Sequence, residues 1–116
     1  MRRLLDELHG DIKISPYSLI EFDLLLKSGE VVVKEVIAFY DTLSDLLEYE
    51  EVRMLPTKPK YHREAFRLRE EYGNLTYFDS LHAAVGIVEN FELVSYDKEY
   101  AKVTELKHNH PEKYTR

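Results

Sequence analysis

The segment Leu75–Asp97, LTYFDSLHAAVGIVENFELVSYD, constrains the fold more than any other part of the chain. An Asp stands at the opening of an apolar helix, Asp79-Ser-Leu-His-Ala-Ala-Val. A short loop follows, then an apolar strand from Phe91 to Ser95 that stops at a second Asp, Asp97. A helix feeding a short buried strand is the repeating unit of open α/β folds. Those folds keep their chemistry at the carboxyl edge of the sheet.

The rest of the chain repeats the alternation. Residues 2–9 read as a helix with Leu4, Leu5 and Leu8 on one side, and Ile12–Ile14 as a short strand. Ser15-Pro16 reads as an N-cap followed by Pro at the first helical position. The helix it opens runs to Gly29, a C-terminal cap. Apolar residues nearly encircle that helix, which predicts burial. The spacing of Val32, Val33, Val36, Ile37, Tyr40, Leu43, Leu46 and Leu47 fits a long helix better than a strand, although Val31-Val-Val33 has strand character. Val52–Leu55 is a strand stopped by Pro56. Lys58-Pro59 starts a helix reaching about Tyr72, with Gly73 closing it, and Phe78–Glu89 is the next. A turn of helix at Lys98–Val103 and a last edge strand near the C-terminus complete the reading. The expectation is a single α/β domain over residues 1–116, three-layered, with a parallel central sheet flanked by helices.

Composition removes whole classes of chemistry. The chain has no Cys, which excludes disulfides, thiolate zinc sites and thiol nucleophiles together. Four Gly in 116 residues are too few for a phosphate loop. No run approaches the ~20 apolar residues of a membrane helix, and MRRLLDELHG lacks the long apolar core of a signal peptide. A cytoplasmic location with no membrane partner is expected. The absence of Gln and Trp, with 33% charged residues, fits a heat-adapted source.

The net charge of −6 conceals an asymmetry. Residues 1–52 hold twelve acids and five bases. Residues 53–69 hold Arg53, Lys58, Lys60, Arg63, Arg67 and Arg69 against Glu64 alone. A local basic patch binds phosphate backbone even on an acidic protein. Lys60, Arg63 and Arg67 are therefore candidate contacts to a phosphate backbone, with His62 beside them; a solvated helix face is the plainer reading.

Three carboxylates occupy corresponding places. Glu21 lies in the helix after the first strand, Asp79 at the start of the helix before the third, and Asp97 directly after the third. In a parallel sheet, strand C-termini share one edge. Glu21 and Asp97 are expected to meet there, with Asp79 approaching from its helix N-terminus. Clustered carboxylates with open positions suit Mg²⁺ or Mn²⁺, hard ions that take oxygen ligands and activate water against a phosphate. Each acid also fits a plainer role. Asp79 is a good N-cap, Asp97 a turn initiator, and Glu21 an ordinary helix residue. His82, one turn after Asp79, either lines the site or is a hydrogen-bonded, partly buried His. His108 and His110 have ligand-like spacing but no third ligand nearby.

Leu75-Thr-Tyr-Phe-Asp79-Ser-Leu-His82-Ala-Ala84 followed by Leu93-Val-Ser-Tyr-Asp97 resembles the C-terminal half of a PIN domain, and Ile14-Ser-Pro-Tyr-Ser-Leu-Ile-Glu21 resembles that family's second acidic motif. The likeness runs through most of residues 2–105. It implies a metal-dependent ribonuclease, in many prokaryotic members a VapC-type toxin paired with an antitoxin, usually homodimeric. By resemblance Glu21, Asp79 and Asp97 are catalytic metal ligands for Mg²⁺ or Mn²⁺, and Ser95 and His82 support them. The family's domain opens with an apolar strand ending in Asp. This chain opens in what resembles the second helix instead, so a PIN-like but N-terminally incomplete domain is expected. The missing strand would be encoded upstream of Met1 or supplied by a partner. A catalytically weakened PIN-like module, acting through the apolar helices Tyr17–Lys27 and Val32–Leu47 as a dimerisation or partner-binding surface, is the alternative.

Overall fold

A computed structural model describes residues 13–94, 100 and 103–109 of the chain. The expected helix at residues 2–9, most of the turn at 98–103, and the side chains of Ser95 and Asp97 lie outside the described residues. The chain groups into two compact units, Met1–Pro56 and Thr57–Arg116. Among the described residues each contains helices and one parallel strand pair, which makes the class α/β with parallel pairing, as expected.

In the first unit the elements are β1 (Lys13–Ile14), α1 (Tyr17–Ser28), α2 (Val36–Tyr49) and β2 (Arg53–Met54). β1 and β2 pair in parallel with Ile14 opposite Met54, and the Leu55 N–H extends the ladder to the Ile14 carbonyl at 3.0 Å. Pro16 stands at the mouth of α1, and the Ser15 hydroxyl accepts the Tyr17 N–H at 3.3 Å. That satisfies one of the donors a helix start leaves orphaned. Gly29 ends α1 at φ 83°, a left-handed conformation that a side chain resists.

Two expectations fail in this unit. The long helix expected from Val32 begins only at Val36. Three consecutive β-branched residues, Val31-Val-Val33, one residue beyond a left-handed glycine resist helical restart. The Val31 N–H instead turns back to the Leu25 carbonyl at 3.2 Å. Nor is α1 buried all round: of its residues only Tyr17 is buried, while Ile20 and Leu24 are exposed. What joins α1 to α2 is an aromatic cluster. Phe22 stacks on Phe39 at 5.3 Å and meets Tyr40 edge-on at 6.2 Å, and the Tyr40 hydroxyl donates to Asp23.

The second unit holds α3 (Pro59–Glu71), α4 (Tyr77–Glu89), β3 (Leu93–Val94) and β4 (His108–Asn109). Strand β3 pairs in parallel with β4, Leu93 opposite His108. A C-terminal edge strand was expected, and this is it. Helix α3 places Tyr61, Ala65 and Leu68 on one buried stripe, and α4 answers with Leu81, Ala83, Ala84 and Val85. Leu75, Tyr100, Val103 and Leu106 are buried as well. Leu68 and Leu81 are almost wholly shielded, and burial of such a side chain contributes about 1.5–3 kcal/mol.

The two helices run antiparallel and are clamped at both ends. At the start of α3, the Tyr61 hydroxyl donates to Glu89 Oε2 at 2.6 Å and Lys58 Nζ reaches the same oxygen at 3.1 Å. Those two donors, Tyr61 first, hold the Glu89 carboxyl below its usual range. At the other end Arg69 donates to the Ser80 hydroxyl at 2.6 Å.

Candidate functional site: the start of helix α4

Helix α4 opens on Thr76-Tyr-Phe-Asp79. The cap is Thr76, not Asp79: Thr76 Oγ1 accepts the Asp79 N–H at 3.2 Å. Asp79 is thereby released from capping and stands in the first turn, where the aligned peptide dipoles favour a negative charge. Its side chain is half-buried, and Oδ1 accepts the Tyr100 hydroxyl at 3.1 Å. Tyr100 is itself buried. A carboxylate pinned through one oxygen by a buried phenol keeps further lone pairs for another ligand.

Beside Asp79, Ser80 is fully buried. Its hydroxyl donates to the Tyr77 carbonyl at 2.6 Å while accepting from Arg69. Arg69 lies over the Tyr77 ring, with its guanidinium carbon 5.1 Å from the centroid. His82, one turn along, is half-buried with its ring 6.5 Å from that of Phe78.

The basic residues of α3 divide into two groups. Lys60 and Arg63 are exposed, and among the described residues no ion pair ties them. Arg67, expected beside them as an RNA contact, is committed elsewhere. Its Nε donates to Glu64 at 2.7 Å and a terminal nitrogen to Glu71 at 2.6 Å, and it also pairs with Glu105. The Arg67 bond, followed by one from Tyr72, lowers the Glu105 carboxyl to about 2. Arg67 is therefore a structural node within this unit.

Glu21 is half-buried on α1 in the first unit. Among the described residues no three of Asp, Glu and His converge as ligands for an ion. Asp79 offers one element of what a hard divalent cation takes, an oriented carboxylate with oxygen lone pairs left over. Asp97 and Ser95 are outside the described residues. The expectation singled out Asp79 and His82 here but missed Thr76, Tyr100, Arg69 and Tyr77. Thr76-x-x-Asp79 has the spacing of a capping box and was readable; nothing local points to Tyr100.

No helix among the described residues is long and apolar enough to cross a membrane. The model of the PIN domain family matches residues 1–106. No curated protein matches the chain.

Proposed function

The chain belongs to the PIN domain family, and on that premise we propose that it is an endoribonuclease of the VapC type, dependent on Mg²⁺ or Mn²⁺ and acting on single-stranded RNA. PIN domains in general are nucleases that use divalent metal and bind RNA. What supports the reading for this chain is Asp79, which the motif resemblance matches to a family acidic residue and which is held by Tyr100 rather than used as a cap.

Asp79 is the anchoring ligand in this proposal, with Glu21 and Asp97 as the further carboxylates that the family pattern assigns. When bound, the divalent ion supplies an activated water and offsets charge on the phosphate. The protein's own residues do the rest. Tyr100 fixes which Asp79 oxygen faces outward. Lys60 and Arg63, exposed on α3, hold the RNA backbone. His82 and Ser95 have supporting places, one turn after Asp79 and two residues before Asp97.

The test is a Mn²⁺ titration by calorimetry of the full chain beside Asp79→Asn, Asp97→Asn and Glu21→Gln, followed by an RNA-cleavage assay. Micromolar binding in the wild type, lost in the variants without loss of folding, is the expected result. A folded wild type that binds no metal refutes the reading.

One observation favours the second reading, a partner-binding module. The first unit exposes large apolar side chains, with Val32 at 87%, Ile37 at 80% and Tyr49 at 74%, and Ile20, Leu24 and Leu46 also open. An apolar surface of that kind is typical of an association face. The proposed occupants are a second copy of the chain or an antitoxin. Light scattering on Ile37→Asp and Leu24→Asp distinguishes them: a wild-type dimer that becomes monomeric indicates self-association, and a wild-type monomer indicates a different partner.

A further inference from the structure

The pair of Tyr77 and Arg69 is not used by the metal reading, and its geometry calls for an occupant. Tyr77 is the first residue of α4, two before Asp79, yet 54% of its surface is exposed. A Tyr with only a structural task buries its ring and wets its hydroxyl. This ring is nevertheless held. Phe78 packs edge-on against it at 5.4 Å and 82°, and Arg69 lies over it at 5.1 Å. Arg69 is fixed in turn by the fully buried Ser80 hydroxyl, which also donates to Tyr77's own carbonyl. The result is a closed local circuit: Tyr77, Ser80, Arg69 and back to the Tyr77 ring.

Arg69 differs from Arg67 on the same helix. Arg67 is surrounded by three carboxylates, whereas among the described residues no carboxylate pairs with Arg69. Its positive charge is left to act on a ligand. A half-exposed aromatic ring with an uncompensated guanidinium over it matches an unpaired nucleobase and its phosphate: the base stacks on the ring and the phosphate meets the fork of donors. A base inside a duplex presents no free face, so the match is to a single strand.

We propose that Tyr77 and Arg69 form a nucleobase-stacking subsite that seats one unpaired RNA base at the start of α4. This rests on the ribonuclease reading and deepens it, because it specifies a base-dependent contact where backbone contacts from Lys60 and Arg63 are indifferent to the base.

The test is fluorescence anisotropy with a short labelled single-stranded RNA, and with the same RNA made abasic at successive positions, in EDTA so that nothing is cut. The proteins are the 116-residue wild type, Tyr77→Ala and Tyr77→Phe. Expected is about tenfold weaker binding by Tyr77→Ala, within the range for base–aromatic stacking, and near-wild-type binding by Tyr77→Phe, which keeps the ring. One abasic position should weaken the wild type by about the same factor and leave Tyr77→Ala unchanged. If Tyr77→Ala binds intact and abasic RNA as the wild type does, the subsite is wrong while the Mn²⁺ titration above still decides the nuclease reading. If the wild type binds no RNA, both fall. Thermal melts followed by circular dichroism establish that the exposed substitution leaves the fold intact.

Discussion

Replacing Arg67 by Met separates a structural cation from an RNA-binding one. The substitution keeps the aliphatic stem and removes the guanidinium, leaving Glu64, Glu71 and Glu105 without their shared partner. Glu71 is the most open of the three, and an exposed pair is worth little. The Glu64 side chain is only 14% exposed, and its pair is worth about 1 kcal/mol. Glu105 has its carboxyl lowered from 4.5 to about 2, chiefly by Arg67. At face value that depression corresponds to about 3 kcal/mol. With the side chain 34% exposed, solvent screening reduces it to about 1 kcal/mol. The expected loss at pH 7 is therefore about 2 kcal/mol, or roughly 8 °C in melting temperature for a chain of this size. The sign of the pH dependence follows from the depressed carboxyl. Its stabilisation is fully present above 4.5 and is lost as the pH falls towards 2. The gap between wild type and variant thus narrows over that window, and it narrows in high salt as well. Melting curves at several pH values measure the gap, and RNA anisotropy well below both melting points measures the function. The expected variant is less stable but binds RNA within about twofold of the wild type, while Arg63→Ala binds more weakly. A variant that melts with the wild type at pH 7 yet loses RNA affinity as Arg63→Ala does would overturn the reasoning.

Thr76→Ala should cost about 1 kcal/mol by removing the acceptor for the Asp79 N–H, with Thr76→Ser restoring most of it, as read by denaturant titration. Gly86→Val should destabilise by about 1–3 kcal/mol: a Cβ at Gly86 would stand 2.8 Å from Leu106 Cδ1 and 3.3 Å from the Phe91 carbonyl oxygen, which outweighs the gain in helix propensity. Tyr100→Phe keeps the buried ring and removes only the hydroxyl that orients Asp79. Calorimetric Mn²⁺ affinity should fall about tenfold with a nearly unchanged melting temperature. Unchanged affinity would mean that Asp79 needs no such support.

What the sequence made legible was local. Gly29 after a leucine run and Pro59 at a helix start each encode their outcome within one or two helical turns, and the structure follows them. The resemblance placed the chain in the right family through motifs of the same local kind. Where the reading missed, the deciding partner was distant or the competition close. Tyr100 reaches Asp79 across 21 positions, and Glu105 reaches Arg67 across 38. No periodicity announces either. The misplaced start of α2 is the opposite case, in which two local signals conflicted. Apolar spacing favoured a helix through Val32 and Val33, and β-branching after Gly29 prevailed.

The basic segment carries more local information than its charge count. Counting charges over residues 53–69 treats its cations alike, but on a helix the acids that matter stand three or four positions away. Arg67 has Glu64 at three and Glu71 at four, and both bonds form. Lys60 has Glu64 at four. Arg63 has Pro59, Lys60, Phe66 and Arg67 at those spacings, and Arg69 has Ala65, Phe66, Tyr72 and Gly73. Neither has an acid within reach along its own helix, and among the described residues neither is paired. Weighted by spacing, the same sequence nominates Arg63 and Arg69 as the cations left for a polyanion and assigns Arg67 to the scaffold. Positions 67 and 69 are also about 200° apart around the helix. A single helix can therefore commit one arginine to holding the unit together and turn another towards Tyr77 and the start of α4, where Asp79 stands.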